Sequence, residues 1–199
     1  MNVPQRKTDL RDQIGKRISE WTSQEKEKQS TVVCQRISSL LPSAVAGLCA
    51  YFPLPDEVDI RPVLEEILAR GIPLFLPRFD NQEVTFHRVT ALEELRPGTF
   101  GIPGPAKDNP EPDPATVTLV LVPGRAFDSH GNRLGRGKAG YDRWIKKQRQ
   151  ANPKTLFWGI AFAEQIVDEV PTEEHDERMD IVLSPEGIID ADKTRNEET

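Results

Sequence analysis

The sequence lacks three features that would place it in common classes of protein. Its 32 Asp and Glu residues outnumber its 26 Lys and Arg residues, giving a formal net charge of -6, so the basic excess with which nucleic-acid binders displace counterions is missing. No apolar run approaches the ~20 residues that a helix needs to cross a bilayer. The first seven residues contain no apolar core of a signal peptide. We therefore expect a cytoplasmic protein whose partners are neither nucleic acid nor membrane.

Cysteine is also scarce. The chain has only Cys34 and Cys49, without a CxxC pair and without the Cys/His spacing of a metal site. Cys34 falls in a predicted helix and Cys49 in a predicted buried strand. We expect two buried free thiols, which suits a reducing compartment.

The chain is long enough to form its own core. Its 199 residues, 37% of them hydrophobic, suit one domain. We predict a single domain over residues 1–189, followed by a charged, disordered tail at 190–199. A monomer is the simplest expectation for such a chain.

Helical and strand-like patterns alternate along the sequence. Apolar spacing and a Thr22–Glu25 capping box predict helices over residues 8–21, 22–41, 60–70 and 141–151. Short apolar runs predict strands over residues 45–52, 72–77, 84–89, 117–122, 155–163 and 180–183, the third of them more exposed. A proline-rich surface loop covers residues 102–115. This order predicts an α/β fold with a mainly parallel sheet flanked by helices.

The segment from Gly131 to Arg143 has the composition of an anion site. Its loop follows a predicted buried strand, carries several glycines and the cations Arg133, Arg136 and Lys138, and ends where a predicted helix begins near Tyr141. Ligands of open α/β sheets bind beyond the carboxyl ends of the strands. Glycine backbone N–H groups and a helix N-terminus can hold phosphate oxygens, and Arg or Lys neutralises the remaining charge. We predict a nucleotide triphosphate site here; the alternative is a mobile surface loop with solvated charges.

Two common nucleotide motifs do not fit this segment. Gly135-x-Gly137-x-x-Gly140 has the spacing of a dinucleotide fingerprint, but such a fingerprint directly follows its strand, and the predicted strand ends at Val122. Gly137-Lys138 lacks the Ser or Thr that follows Lys in a P-loop. The phosphate site is therefore of another kind.

One longer motif resembles a known family. The run Pro123-Gly-x-Ala-Phe-Asp-x-x-Gly-Asn-Arg-Leu-Gly-Arg-Gly-Lys138, ending in Tyr-Asp-Arg143, is similar to the 5-formyltetrahydrofolate cyclo-ligases, also called methenyltetrahydrofolate synthetases. Weaker matches in the same order include Lys7-x-x-Leu-Arg11, Asp56-Glu57, and Ala161-Phe-Ala-Glu-Gln165 followed by Val170-Pro-x-Glu-x-His-Asp176. The resemblance implies a three-layer α/β fold like that of the CoA-transferase-like group. It also implies ATP- and Mg²⁺-dependent conversion of 5-formyltetrahydrofolate to 5,10-methenyltetrahydrofolate, with release of ADP and phosphate.

The resemblance also implies the site residues. The implied ATP-binding residues are Lys7, Arg11, Arg133, Leu134, Gly135, Arg136, Gly137, Lys138, Ala139, Gly140 and Tyr141. Arg136 and Lys138 are the implied catalytic residues. Asp142 and Asp176 are the implied Mg²⁺ ligands. Glu57 is the implied folate contact, and Phe79 and Phe100 are our candidates for stacking on the rings of the folate.

Several of these residues have a plainer interpretation. Lys7 and Arg11, at i and i+4 of the first helix, could form an exposed basic face, and Asp142 could be an ordinary helix-start carboxylate. Phe79 and Phe100 could equally belong to the core. His175 could equally be a surface histidine. If Asp142 is a metal ligand, Asp142→Ala should abolish turnover and leave the melting temperature nearly unchanged.

The loop departs from the family pattern at Lys138-Ala139-Gly140, where most members have Gly-Gly followed by Tyr or Phe. A positive φ at Ala139 would be strained; alternatively, the flexible glycine has shifted by one position, to Gly140. Two other functions stay open on this ground. The chain could be a folate- or nucleotide-binding module without turnover, or an ATP-using ligase with another substrate.

Overall fold

The computed structural model describes residues 2–80, 83–98, 101–191 and 193. The helices within these ranges are α1 (Val3–Ser19), α2 (Ser23–Leu40), α3 (Arg61–Ala69) and α4 (Gly140–Ala151). The strands are β1 (Leu48–Cys49), β2 (Leu74–Asp80), β3 (Glu83–Val89), β4 (Arg96–Pro97), β5 (Pro103–Gly104), β6 (Leu119–Pro123), β7 (Ala126–Phe127), β8 (Arg133–Leu134), β9 (Leu156–Ile160), β10 (Ile181–Leu183) and β11 (Ile188–Asp190). None of the four helices combines the length and the apolar character that a membrane crossing requires.

Seven strands form the central sheet, in the order β11-β10-β9-β6-β1-β2-β3. The five inner strands pair in parallel. The edge strands β11 and β3 are antiparallel to their neighbours. The predicted α/β fold with a mainly parallel sheet is thus confirmed. β4–β5 and β7–β8 are separate two-stranded ribbons.

Side chains from the strands divide between two apolar clusters, one on each face of the sheet. Successive residues of a strand point to opposite faces. Leu119 and Leu121 accordingly pack in a cluster with residues of α1, α2 and α3, whereas Val120 and Val122 pack with Ile145 of α4. Helices therefore cover both faces, which gives the three layers.

The first two helices begin at side-chain caps. At the start of α2 the Glu25 N–H donates to Thr22 Oγ1 over 3.2 Å, and the Thr22 N–H donates to the Glu25 carboxylate over 2.7 Å, which confirms the capping box. α1 starts five residues before the predicted position. Asn2 caps it by accepting the Gln5 N–H at 3.0 Å, and the fixed φ of Pro4 suits the first turn.

The apolar run at 45–52 is buried as predicted but is a strand over only two residues. β1 covers Leu48 and Cys49, and the Ala50 N–H still donates to the Phe75 carbonyl of β2 over 3.0 Å. Ala50 and Tyr51 are buried beyond the end of this strand, 0% and 2% exposed. An apolar run predicts which residues are buried but not which of them pair with a neighbouring strand, so the predicted strand was too long. Both cysteines are free and buried, as predicted, and burial raises the pKa of Cys34 to about 11.

The chain remains part of the fold beyond residue 189. We predicted a disordered tail from Asp190, but Asp190 closes β11 by pairing with Ile181, and Ala191 is 2% exposed. The tail prediction is therefore wrong for these two residues, because a hairpin from β10 supplies pairing partners that the charged sequence does not reveal. Apart from Lys193, the later residues lie outside the described ranges.

Candidate functional site

A cleft with a cavity volume of about 740 Å³ lies at the carboxyl ends of the parallel strands β1, β2 and β6. This is the edge at which open α/β sheets bind ligands, and the volume suits a small organic ligand. α1 forms one wall, the loop from 133 to 142 a second, and residues 173–176 a third. Every described residue that the sequence assigned to the site lines this cleft. Phe100 lies outside the described residues.

A hydrogen-bonded turn precedes the glycine-rich loop. The carboxylate of Asp128 is fully buried and accepts the N–H groups of His130, Asn132 and Val170, each at 3.0 Å. Gly131 has φ +75°, and a Cβ there would collide with the Met179 carbonyl, so glycine is required. The turn closes the β7–β8 ribbon and directs the chain into the cleft.

Backbone of the left-handed region shapes the loop itself. Gly137 has φ +94° and Ala139 has φ +50°, the latter directly before α4. The Arg11 Nε–H donates to the Gly135 carbonyl over 2.8 Å, which ties α1 to the loop. Since Gly140 is the first residue of α4, the flexible position has not shifted to it. Ala139 adopts the conformation that favours glycine.

Arg136 extends into the cleft between two carboxylates. Its Nη2 lies 2.5 Å from Asp56 Oδ1 and 3.0 Å from Glu57 Oε1. Partial burial alone would raise the pKa of Asp56, but hydrogen bonds and charge from Arg136 and Arg125 outweigh it and hold that pKa below its ordinary value. Burial raises the pKa of Glu57 above its ordinary value despite the opposing charge of Arg136. Both carboxylates belong to one charge network with the loop.

Asp142 is engaged by a cation. Its Oδ1 accepts from Arg133 Nη2 at 2.8 Å, and the two side chains are only 9% and 3% exposed. The Glu177 N–H approaches the same oxygen at 3.4 Å. This geometry gives both residues a structural role in the loop. It leads us to expect that Asp142→Ala lowers stability, unlike the expectation from the sequence, because that change would leave the buried guanidinium of Arg133 without its partner.

Lys7 and Asp176 also pair with each other. The Lys7 ammonium lies 2.5 Å from Asp176 Oδ2 and 2.8 Å from Glu173 Oε2. Burial alone would lower the pKa of Lys7, but its bonds to the two carboxylates raise it above the ordinary value. His175 is an exposed side chain whose Nε2 lies 3.8 Å from Asp176 Oδ1. The salt bridges join α1 to the segment 173–176 across the mouth of the cleft.

An aromatic wall faces these charges. Phe79 and Tyr141 line the cleft with ring centroids 6.4 Å apart, and Tyr141 also packs edge-to-face against Phe86 at 6.2 Å. The Tyr141 hydroxyl is buried without a hydrogen-bond partner, and burial raises its pKa. Such a wall suits a flat ring system, and its one unsatisfied hydroxyl could bond a ligand.

Three charged residues near the cleft were not predicted as site residues. Asp56 and Glu173 occur within the weaker motifs, next to Glu57 and close to Asp176, so adjacency was the signal that could have found them. Arg125 gave no such signal, because it is a single arginine in an otherwise apolar turn.

No cluster that resembles a protein-made metal site occurs in the part of the chain that the structure describes: no three His, Cys, Asp or Glu side chains come together to hold an ion. Asp142 and Asp176 both line the cleft, but each already neutralises one cation. Mg²⁺ is commonly bound through one or two carboxylates completed by substrate phosphates and water. The donor set therefore fits Mg²⁺ only as an ion shared with a bound phosphate.

Comparison with known proteins identifies the family of the chain. A model of the 5-formyltetrahydrofolate cyclo-ligase family matches residues 3–185. The 5-formyltetrahydrofolate cyclo-ligase of Mus musculus is 30% identical over 195 residues, covering 92% of this chain and 95% of its own. The 5-formyltetrahydrofolate cyclo-ligase of Escherichia coli K12 is 27% identical, covering 84% and 93%.

Solved structures show the same fold. The 5,10-methenyltetrahydrofolate synthetase of Aquifex aeolicus superimposes with a TM-score of 0.79 at 29% identity, covering 93% of this chain and 92% of its own. That of Mycoplasma pneumoniae superimposes with a TM-score of 0.72 at 21% identity, covering 90% and 98%; at that identity the likeness concerns the fold alone.

Proposed function

Because the chain belongs to the 5-formyltetrahydrofolate cyclo-ligase family and is therefore a ligase, we propose that it uses Mg-ATP to convert 5-formyltetrahydrofolate to 5,10-methenyltetrahydrofolate. One observation within the molecule carries this proposal. A single cleft brings the cationic, glycine-rich loop opposite an aromatic wall and a buried carboxylate. These are the parts needed to bind a triphosphate beside a pterin.

The chemistry explains why a triphosphate is needed. The oxygen of an N-formyl group is a poor leaving group. Attack of that oxygen on the γ-phosphorus of ATP releases ADP and leaves an imidate-like phosphate ester on the formyl carbon. The second folate nitrogen then attacks this carbon, the C–O bond breaks, and inorganic phosphate departs with the original formyl oxygen. Loss of the proton from the attacking nitrogen completes the methenyl bridge.

The loop cations suit the phosphoryl transfer. Such transfer depends mainly on positioning and charge neutralisation. Arg136 and Lys138 are exposed side chains that line the cleft, so we assign them to the transferring group. Lys7 and Arg11 lie on the facing helix and would neutralise the remaining phosphates. The loop backbone from Gly135 to Gly140 and the start of α4 would hold phosphate oxygens.

Asp142 and Asp176 would hold Mg²⁺ together with phosphate oxygens. The metal would supply positive charge to the triphosphate. Meanwhile Arg133 orients Asp142 and Lys7 orients Asp176. This chain thus presents two carboxylates whose directions are already fixed.

The folate would lie on the other side of the loop. Glu57 can accept hydrogen bonds from the pterin amino group and a ring N–H, and burial of its carboxylate would strengthen such bonds. Phe79 and Phe100 would stack on the aromatic rings of the substrate. We propose a monomeric enzyme acting on a small molecule, because one chain supplies every described residue that lines the cleft.

The proposal is tested by one assay. Purified protein mixed with 5-formyltetrahydrofolate and Mg-ATP should form a product with near-ultraviolet absorbance, together with one ADP for each product molecule. Omission of ATP should stop the reaction. Binding of both ligands without ADP release would instead identify a binding module, and ADP release without this product would identify a ligase for another substrate.

Lys138→Met tests whether this particular lysine, and not merely the net charge of the protein, contributes to turnover. We expect turnover to fall by roughly 10²-fold or more, because a charge that stabilises phosphoryl transfer typically contributes that much. Lys147→Met, on the exposed side of α4, removes the same charge away from the cleft and should leave turnover unchanged. Equal kinetics for the two variants would contradict the assignment of Lys138.

A further inference from the structure

Arg125 lies directly behind the cleft wall. It follows β6 and is not among the residues that line the cleft. Its N–H donates to the Leu134 carbonyl over 2.6 Å, and its own carbonyl approaches the buried amide of Gln165 at 3.4 Å. The backbone that carries the guanidinium is thus fixed on both sides.

The side chain ends in an alternating row of charges. The Arg125 Nη1 forms an ion pair with Asp56 Oδ2, and the side chain is only 14% exposed. The other oxygen of Asp56 lies 2.5 Å from Arg136 Nη2, in a side chain that is 41% exposed. Asp56 therefore connects a buried, fixed cation to the cation that projects into the cleft.

Gly15 leaves room for this arrangement in the middle of α1. A Cβ at Gly15 would lie 2.7 Å from Arg125 Nη2, closer than real Cβ contacts. Glycine in a helix interior destabilises the helix relative to alanine. The helix therefore carries a locally unfavourable residue at the position that the Arg125 guanidinium occupies.

We propose that Arg125 is a positioning residue for nucleotide use: it fixes Asp56, and Asp56 fixes Arg136. The inference rests on the proposed function, in which Arg136 binds the transferring phosphate. Without Arg125, one Asp56 oxygen loses its partner and the whole carboxylate charge acts on Arg136. The Arg136 guanidinium would then be less ordered and more strongly neutralised toward phosphate.

Arg125→Gln tests the chain of contacts by removing its first charge. We expect the KM for ATP to rise roughly tenfold, which corresponds to about 1.4 kcal/mol, with a smaller effect on the KM for the folate. Arg125→Lys keeps the charge and should recover part of the loss. Arg70→Gln is the matched control, because Arg70 forms an exposed pair with Glu66 on α3 and should change neither constant.

Gly15→Ala tests the same contact from the other side. The added methyl should displace the guanidinium and raise the KM for ATP. The helix gains intrinsic stability, so the melting temperature should not fall. Gly187→Ala adds the same methyl where nothing lies within 4 Å and should leave kinetics unchanged. A lower melting temperature with unchanged kinetics for Gly15→Ala would reduce Arg125 to a purely structural role.

A spectroscopic readout distinguishes failure of this inference from failure of the proposed function. The Arg136 Nε–H, which lies 3.2 Å from Glu57, can be assigned in nitrogen-15 spectra by its loss in Arg136→Lys. Its signal should broaden or move in Arg125→Gln and Gly15→Ala and stay in place in both controls. A wild-type protein without ATP-dependent turnover would refute the proposed function. An unmoved Arg136 signal would refute the positioning role whatever the turnover.

Discussion

Arg133 and Asp142 form a buried ion pair that holds the loop before α4. Their charged atoms lie 2.8 Å apart and almost out of contact with water. Removing one partner of such a pair typically costs about 3–5 kcal/mol, because the other charge stays buried and uncompensated. Asp142→Ala should therefore lower the free energy of unfolding by about this amount, which denaturant titration would measure.

A double-mutant cycle separates this pairing from any direct role in turnover. The double variant Arg133→Met, Asp142→Leu should be more stable than Asp142→Leu alone, because it leaves no buried charge without a partner. The single and the double variant should both be inactive if Asp142 also binds the metal. A single variant as stable as the wild type would show that the pair is not the structural unit inferred.

Ala139 is the one described non-glycine residue with positive φ. An L-residue in this region is strained by roughly 1–2 kcal/mol. Glycine relieves the strain but restores about 0.4–1 kcal/mol of unfolded-chain entropy. We expect Ala139→Gly to raise the free energy of unfolding by about 0.5–1 kcal/mol, measured by chemical denaturation.

Gly187 provides the comparison for that change, because Gly187→Ala alters the same pair of residue types at ordinary φ and in open space. Gly187→Ala should slightly raise the free energy of unfolding, because alanine lowers only the entropy of the unfolded chain. Destabilisation by Ala139→Gly would contradict the strain inferred from the backbone angle.

At the scale of elements, α2 shows that stability and the site can be changed separately. None of its described residues lines the cleft, and its first turn is closed by the reciprocal bonds of Thr22 and Glu25. Thr22→Ala removes a capping side chain that is typically worth about 1 kcal/mol. The melting temperature should fall by roughly 2–4 °C for a chain of this size, while kcat and KM stay unchanged.

Thr31→Ala, on the same helix, should not lower the melting temperature as Thr22→Ala does. Thr31 is exposed within α2, where alanine is the better helix former, so its melting temperature should stay level or rise slightly. A similar loss of stability in both variants would show that the cap itself does not contribute.

The fold of the whole molecule brings separated parts of the chain to one cleft. α1, the turn after β1, the loop before α4 and the segment 173–176 all contribute side chains. A ligand that binds only the folded protein at 100 times its Kd stabilises it by about 2.7 kcal/mol, or roughly 5–10 °C at this size. Thermal melting with non-hydrolysable Mg-ATP should show that shift.

Lys138→Met should reduce the nucleotide-induced shift, whereas Lys147→Met should not. The absence of any shift at saturating nucleotide in the wild type would be inconsistent with a triphosphate bridging these parts.

Local sequence patterns were sufficient for several elements and for the place of the site. The Thr22–Glu25 box, the apolar runs of the strands and the cationic loop before a helix all depend on residues that are close together in sequence. The same patterns overestimated β1, which pairs with β2 and β6 over only two residues, and missed β11, which is a strand through its pairing with β10.

The resemblance named the cleft residues but not their partners. Lys7 and Asp176 were assigned separately, to phosphate and to metal, and the structure pairs them at 2.5 Å across 169 positions. Arg133 and Asp142, also assigned separately, form a buried pair. The charge of each residue follows from its type, whereas the ion that neutralises it depends on which distant element packs beside it.

The sequence by itself therefore determined the layered α/β architecture and the anion-binding character of the loop, since hydrophobic periodicity and glycine-rich composition act over a few residues. The tertiary structure alone decided that Arg125 reaches Asp56 past Gly15, and that Ala139 adopts a left-handed backbone. Both outcomes depend on where α1 and α4 meet the sheet, and only packing of the whole chain fixes those positions.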